Sequence, residues 1–238
     1  MITLHGFGAA FNLPDPSPFV TRVELLMRVS NIEYQRIDSA RNLQKAPKSK
    51  LPFIIDDGKM IADSVFIADY LRSNYDVRLD DWLSNEQAAL AQLLSKSLDE
   101  NLYWVIVYSR WVLDEVWPNI EAEFFGSIPF PLNKIIAWSA RSSTCKKIKS
   151  HGIGQHSQDE ISTIAHASWK SLSTLLGDKP YFFGEKISSF DITAFSMLSA
   201  FTLIDLDTPF NDDAKAYKNL VDFTHRIAKE YYPNEISL

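Results

Sequence analysis

The sequence has one cysteine, Cys145, in 238 residues. That excludes an intramolecular disulfide framework and a cysteine-based metal cage, and makes a reducing compartment the simpler expectation. Long apolar runs are missing as well. Even LYWVIVY at 102–108 gives way at once to Ser109 and Arg110, well short of the about 18 residues a membrane-spanning helix needs. The N-terminus, MITLHGFGAAF, lacks the basic segment that opens a secretory signal, so a cytoplasmic protein is expected. Basic excess is absent too: the net charge is −6, which argues against a nucleic-acid backbone as partner. The five histidines are scattered, and only His151 and His156, in HGIGQHS, stand close together. Two glycines between them mark a loop, and no metal site is expected.

What is present is apolar mass. A composition 46% apolar and 13% aromatic suffices for one large core or two modest domains. From residue 2 the patterns run strand (2–7), helix, strand (33–39), a Lys-rich connection, then LPFIIDDGKMIADS. That last run reads as a hairpin, FIID and KMIA joined by a DG turn, followed by a short helix, VFIADYLRSN. In the first helix Val20, Val23, Leu26, Met27 and Ser30 share one face, while Arg22, Glu24 and Arg28 fall elsewhere.

Past Tyr75 the character changes. Residues 84–125, 128–150, 157–177, 188–205 and 213–231 read as helices separated by Pro- or Gly-bearing breaks. Ser84 with Gln87, Ser157 with Glu160, and Ser188 with Asp191 have the spacing of reciprocal N-terminal caps. Ile187 and Ile192 add a hydrophobic staple to the last. The fold class is therefore α+β: a small βαβ-ββα unit with a mixed sheet, residues 1–76, and an all-α part, residues 82–238.

The order of elements, the run KLPFIIDDGKMIADS and the late helix start ISSFDITAF together resemble a cytosolic glutathione transferase, with a thioredoxin-like first domain. More narrowly, ENLYWVIVYSRW, GIGQHSQDEI and LLGDKPYFFGEKISSFD resemble the branch of failed axon connections (Fax) proteins and metaxins. The resemblance implies a glutathione-binding domain at 1–76, a helical domain bearing the acceptor-substrate site, no metal, and a homodimer. It implies a cis Leu51–Pro52 bond that turns the Leu51 backbone toward the tripeptide. Asp63 and Ser64, at a helix N-terminus rich in orphan N–H groups, are expected to hold its γ-glutamyl carboxylate. One of Lys45, Lys48 and Lys50 is expected to meet the glycine carboxylate, with Lys50 the choice nearest Leu51. Trp104, Tyr108 and Trp111 form a stripe at helical spacing that either walls the acceptor pocket or packs the core.

Ser17, in DPSPFVTR, occupies the position where redox relatives of the thioredoxin fold carry cysteine, so disulfide exchange is excluded. Followed by Pro18, it is expected to cap the helix with its hydroxyl and, with glutathione present, to face the thiolate. The expected function is conjugation of glutathione to a small apolar electrophile. Two alternatives stay open: a non-catalytic Fax- or metaxin-like adaptor, and a glutathione-dependent isomerase or dehalogenase. The stretch PLNKIIAWSARSSTCKKIK (131–149) is read as a solvated helix face, with contact to an anionic membrane the lesser expectation.

Overall fold

The computed structural model describes residues 1–238. Its first part comprises β1 (Ile2–Gly6), α1 (Pro18–Val29), β2 (Tyr34–Asp38), a single-turn α2 (Asn42–Lys45), β3 (Phe53–Asp56), β4 (Lys59–Ala62) and α3 (Ser64–Asn74). The sheet order is β2-β1-β3-β4. β1 runs parallel to β2 and antiparallel to β3, and β4 is antiparallel to β3. The hairpin forms where the sequence places it. Asp57 and Gly58 both have positive φ (45° and 81°), the conformation a two-residue turn requires and Asp-Gly readily adopts.

The helical part contains α4 (Asn85–Glu100), α5 (Leu102–Trp111), α6 (Trp117–Phe125), α7 (Leu132–His151), α8 (Gln158–Leu176), α9 (Ser189–Thr202), α10 (Asn211–Lys215) and α11 (Lys218–Tyr231). The span read as one helix, 84–125, is three. Asn101 departs from ideal helical angles (φ −111°, ψ −73°), which separates α4 from α5, and donates its side-chain N–H to the Ser97 carbonyl. Pro118, in the first turn of α6, has no N–H to continue a helix from the preceding turn and fits a restart instead. The helix read at 213–231 is likewise two.

Ser84 and Ser157 form the reciprocal caps their spacing implies. Ser188 and Asp191 form the third such cap and extend it: the Ser188 N–H and hydroxyl both donate to Asp191 Oδ2 (2.8 and 2.6 Å), while Asp191 Oδ1 accepts the Phe182 N–H. Burial pushes the Asp191 carboxyl above its usual range. The Ser189 N–H, in turn, goes to Asp80 in the connection between the two parts.

α1 corrects the amphipathic reading. Glu24 is fully buried, as are Thr21 and Leu25, because α1 lies between the sheet with α3 on one side and α9 on the other. Glu24 is satisfied by two arginines and a tyrosine hydroxyl rather than by water. It accepts from Arg36 (2.5 Å), Tyr34 Oη (2.8 Å) and Arg28 (3.2 Å). α9 has every residue but Ser189 buried, and one apolar cluster runs without interruption from Ile2 to Ile236.

Candidate active site

Strand register gathers the candidate residues. His5 of β1 pairs with Phe53 of β3, and Phe53 pairs with Ala62 of β4. The loop after β1 that leads to Ser17, the Leu51–Pro52 step before β3, and Asp63–Ser64 after β4 therefore leave the sheet at the same end.

Asp15 organises the first of these segments. Its Oδ2 accepts the N–H groups of Phe7 (2.8 Å) and Gly8 (3.1 Å) and Arg36 Nη2 (2.9 Å), and Oδ1 accepts the Ser17 N–H (2.9 Å). Burial pushes this carboxyl up to about 7, against the pull of the Ser17 N–H, Arg36 and the two other N–H groups. Gly6 makes room for the pair. A Cβ there would stand 2.5 Å from Asp15 Oδ2 and 2.9 Å from Arg36 Nη2.

Ser17 is the N-cap residue of α1 by backbone conformation (φ −89°, ψ 116°), but its hydroxyl makes no capping hydrogen bond. The expected hydroxyl cap is absent: the Val20 N–H goes to the Ser17 carbonyl at 3.0 Å, and Asp15 fixes the turn through the Ser17 N–H. With Pro18 carrying no N–H, the donors left free at this helix end are the half-buried Ser17 hydroxyl and the Phe19 N–H. Beneath the turn, Arg110 of α5 donates Nη1 to the Pro16 carbonyl at 2.6 Å. It is buried, its Nη2 has no partner, and burial brings the guanidinium down to about 10.

The Leu51–Pro52 bond is cis. Leu51 is buried, yet neither its N–H nor its C=O has a hydrogen-bond partner in the protein. The Pro52 carbonyl accepts the Asp63 N–H at 3.3 Å, which joins this segment to the start of α3. Asp63, at a positive φ of 84°, caps α3 by accepting the Val65 N–H at 3.1 Å. That leaves the buried Ser64, first residue of the helix, with its N–H and hydroxyl uncommitted. Of the three lysines, Lys48 is the one brought here: its Nζ lies 3.7 Å from Asp63 Oδ2 and 4.2 Å from the centroid of Phe66. Lys50 is exposed.

The aromatic stripe of α5 is occupied by packing. Trp104 stacks on His151 (4.2 Å, 21°), Tyr108 is buried edge-on to Phe210 (6.3 Å), and Trp111 leans on Trp117 (5.6 Å). His156, the other loop histidine, sits 3.6 Å from Glu160. The aromatics that meet the loop before Ser17 are different ones. Phe124 of α6 receives the edges of Phe7 and Phe11 (6.0 and 6.4 Å). Phe7, Phe11, Phe124, Asp15 and Arg110 were not singled out as site residues by the sequence pattern. Their contacts join positions far apart in the chain, and only the acidic residue two before an N-cap serine gave a local signal.

Comparison with known proteins places this geometry. Residues 18–117 match the glutathione S-transferase N-terminal domain and residues 165–227 the glutathione S-transferase C-terminal domain. The isoprene-epoxide–glutathione S-transferase of a Rhodococcus strain is 32% identical over 97% of this chain and 99% of its own. The Drosophila melanogaster failed axon connections protein is 30% identical over 98% of this chain, which spans 59% of that longer relative. Human metaxin-2 is 24% identical over 88% of this chain and 80% of its own. Among solved structures, a β-etherase from Sphingobium shares the fold over 98% of both chains, with a TM-score of 0.62 at 17% identity. The chain belongs to the glutathione S-transferase family, with failed axon connections proteins and metaxins among its relatives.

Proposed function

We propose that this protein binds glutathione and conjugates it to a small apolar electrophile, with residues 1–76 holding the tripeptide and residues 82–238 supplying the acceptor side. The observation that carries the reading is the set of uncommitted groups at one end of the sheet: the Ser17 hydroxyl, the Leu51 N–H and C=O, and the Ser64 N–H and hydroxyl. Leu51 would pair with the tripeptide backbone as an added strand does. Ser64 at the start of α3 would take the γ-glutamyl carboxylate, where helix N–H groups and dipole favour an anion. Lys48 is better placed than Lys50 to add a cation there.

Ser17 would donate its hydroxyl to the glutathione sulfur. Lowering a thiol pKa from about 8.5 to about 7 takes about 2 kcal/mol of preference for the thiolate. One hydrogen bond to a charged group contributes about 1.5–3 kcal/mol, so the hydroxyl suffices without a metal or a histidine base. The thiolate would then attack an electrophilic carbon. With an epoxide, the class named for the Rhodococcus relative, the C–S bond forms as the C–O bond opens and the alkoxide takes up a proton. Phe7, Phe11 and Phe124 would form the apolar wall facing the electrophile, with Trp104, Tyr108 and Trp111 holding the helices behind it.

Retention on immobilised glutathione, together with conjugation of a small epoxide at millimolar glutathione, tests this reading. No binding at that concentration would sink it. A second reading, a non-catalytic binding protein, draws on the 30% identity to the failed axon connections protein. It predicts a partner retained equally by wild type and Ser64→Ala. Turnover without net loss of glutathione would instead indicate isomerase or dehalogenase chemistry at the same thiolate. No helix is long and apolar enough to cross a membrane. A cytoplasmic homodimer with a role in detoxification fits the proposal.

A further inference from the structure

α7 and the turn leading into it expose more large apolar side chains than any other helix. Phe130 and Trp138 are 81% and 72% exposed, and Leu132, Ile135 and Ile136 between them are exposed as well. A solvated face at this position should be polar. The exposed residues are instead among the most apolar of the segment, and side chains this exposed project from the surface rather than line a recess. The opposite side of α7 is fully engaged: Ala137 and Ile148 are buried, and Arg141 donates to the Trp111 and Val112 carbonyls.

Charge is segregated along the same helix. Its 20 residues include five lysines and arginines and no acid, in a chain of net charge −6. Lys134 and Arg141 are paired with Glu121 and Asp114. Lys146, Lys147 and Lys149 are exposed, and helical periodicity brings Lys146 and Lys147 to the side that carries Leu132, Ile135 and Ile136.

We infer that this face of α7 docks on a lipid surface bearing anionic headgroups. The apolar head, with its two aromatic rings, enters the interface, and the lysines roughly 15 Å farther along the helix meet the headgroups. A projecting apolar head suits a deformable bilayer, whereas a rigid protein partner would need a matching recess. Pairing of two copies along the whole face would oppose lysines to lysines or to apolar heads, and neither arrangement is complementary.

Co-sedimentation of the full chain with vesicles of phosphatidylcholine alone, and of phosphatidylcholine mixed with phosphatidylserine, tests the inference. Two variants are compared with wild type after circular dichroism shows them folded: Phe130→Ser/Trp138→Ser, and Lys146→Gln/Lys147→Gln/Lys149→Gln. Binding to the mixed vesicles that falls by about tenfold or more in each variant, and weakens with salt, is expected. Failure of the wild type to bind mixed vesicles, equal binding to neutral ones, or variants that bind as the wild type does would overturn it. So would tighter binding to a polyglutamate peptide than to mixed vesicles, which reassigns the face to an acidic protein. Conversion of a dimer to monomers by Phe130→Ser/Trp138→Ser without lipid reassigns it to contact between copies, and likewise overturns the inference.

Discussion

Replacing Ser17 with alanine separates two roles that a serine at a helix start can combine. Had the hydroxyl capped α1, its loss would cost about 1 kcal/mol of stability. The structure leaves that hydroxyl uncapped and gives the turn to Asp15, so the expected cost is that of an ordinary surface change, within about 0.5 kcal/mol. In the proposed role the chemical cost is larger. Removing a hydrogen bond to a thiolate forfeits about 1.5–3 kcal/mol, which raises the bound thiol pKa by roughly 1–2 units and lowers kcat/KM near neutral pH about 10- to 150-fold. Urea unfolding gives the first quantity, and the pH profile of glutathione conjugation gives the second. Ser17→Gly should match alanine in chemistry. An unchanged thiol pKa accompanied by a stability loss near 1 kcal/mol would refute the reasoning and return Ser17 to the role of a cap.

Gly6→Ala should destabilise by about 1–3 kcal/mol, as overpacking does, because its Cβ would overlap Asp15 Oδ2 and crowd Arg36; denaturant unfolding measures this, and a neutral substitution would mean the loop shifts freely. Glu24→Ala should cost about 1.5–3 kcal/mol, the worth of charged hydrogen bonds lost from Arg36 and Arg28, which keep Asp15, Asp38 and Glu235 as counter-charges; a loss below about 1 kcal/mol by the same assay would show the pairs to be solvated. Asp15 carries a pH signature. With a folded pKa raised to about 7 from about 3.9 unfolded, the folded state holds the extra proton, so this contribution to stability is full below about pH 4 and lost as pH rises to about 7. The stability of wild type relative to Asp15→Asn should therefore fall across that window, by up to about 1.4 kcal/mol per pH unit; a rise would show that Arg36 and the N–H donors outweigh burial.

What the chain discloses about itself depends on how local the cause is. The Asp57–Gly58 hairpin and the caps at Ser84 and Ser157 are legible because the residues that make them lie within three or four positions. The division of 84–125 into α4, α5 and α6 is not, since helical periodicity continues across Asn101 while the backbone does not. The same holds at the site. Ser17, Leu51, Asp63 and Ser64 sit at element boundaries that pattern and family resemblance mark. Arg110, by contrast, reaches the Pro16 carbonyl across 94 positions, and Phe124 meets Phe7 only because α6 folds back over the first loop. Glu24 misleads for a related reason. A charged residue on a helix is read as facing water; Arg28 is its local i,i+4 partner, and only the tertiary arrangement buries it and adds Tyr34 and Arg36 in place of that water.

The placement of α1 between the sheet and α9 has a consequence for how the molecule comes apart. The helix that begins at Ser17 belongs to both halves of the core, so neither half can open without stripping one of its faces. Amide protons in α1 and α9 should then exchange through one shared global event, at equal free energies, while the ends of α3 and α7 exchange sooner. Residues 1–76 expressed alone would expose the face of α1 that α9 covers, and would behave as a fragment in search of its partner. In such a molecule the integrity of the end that carries Ser17, Leu51 and Ser64 is a property of the whole chain, and a destabilising change far out in the helical half would weaken it without touching it.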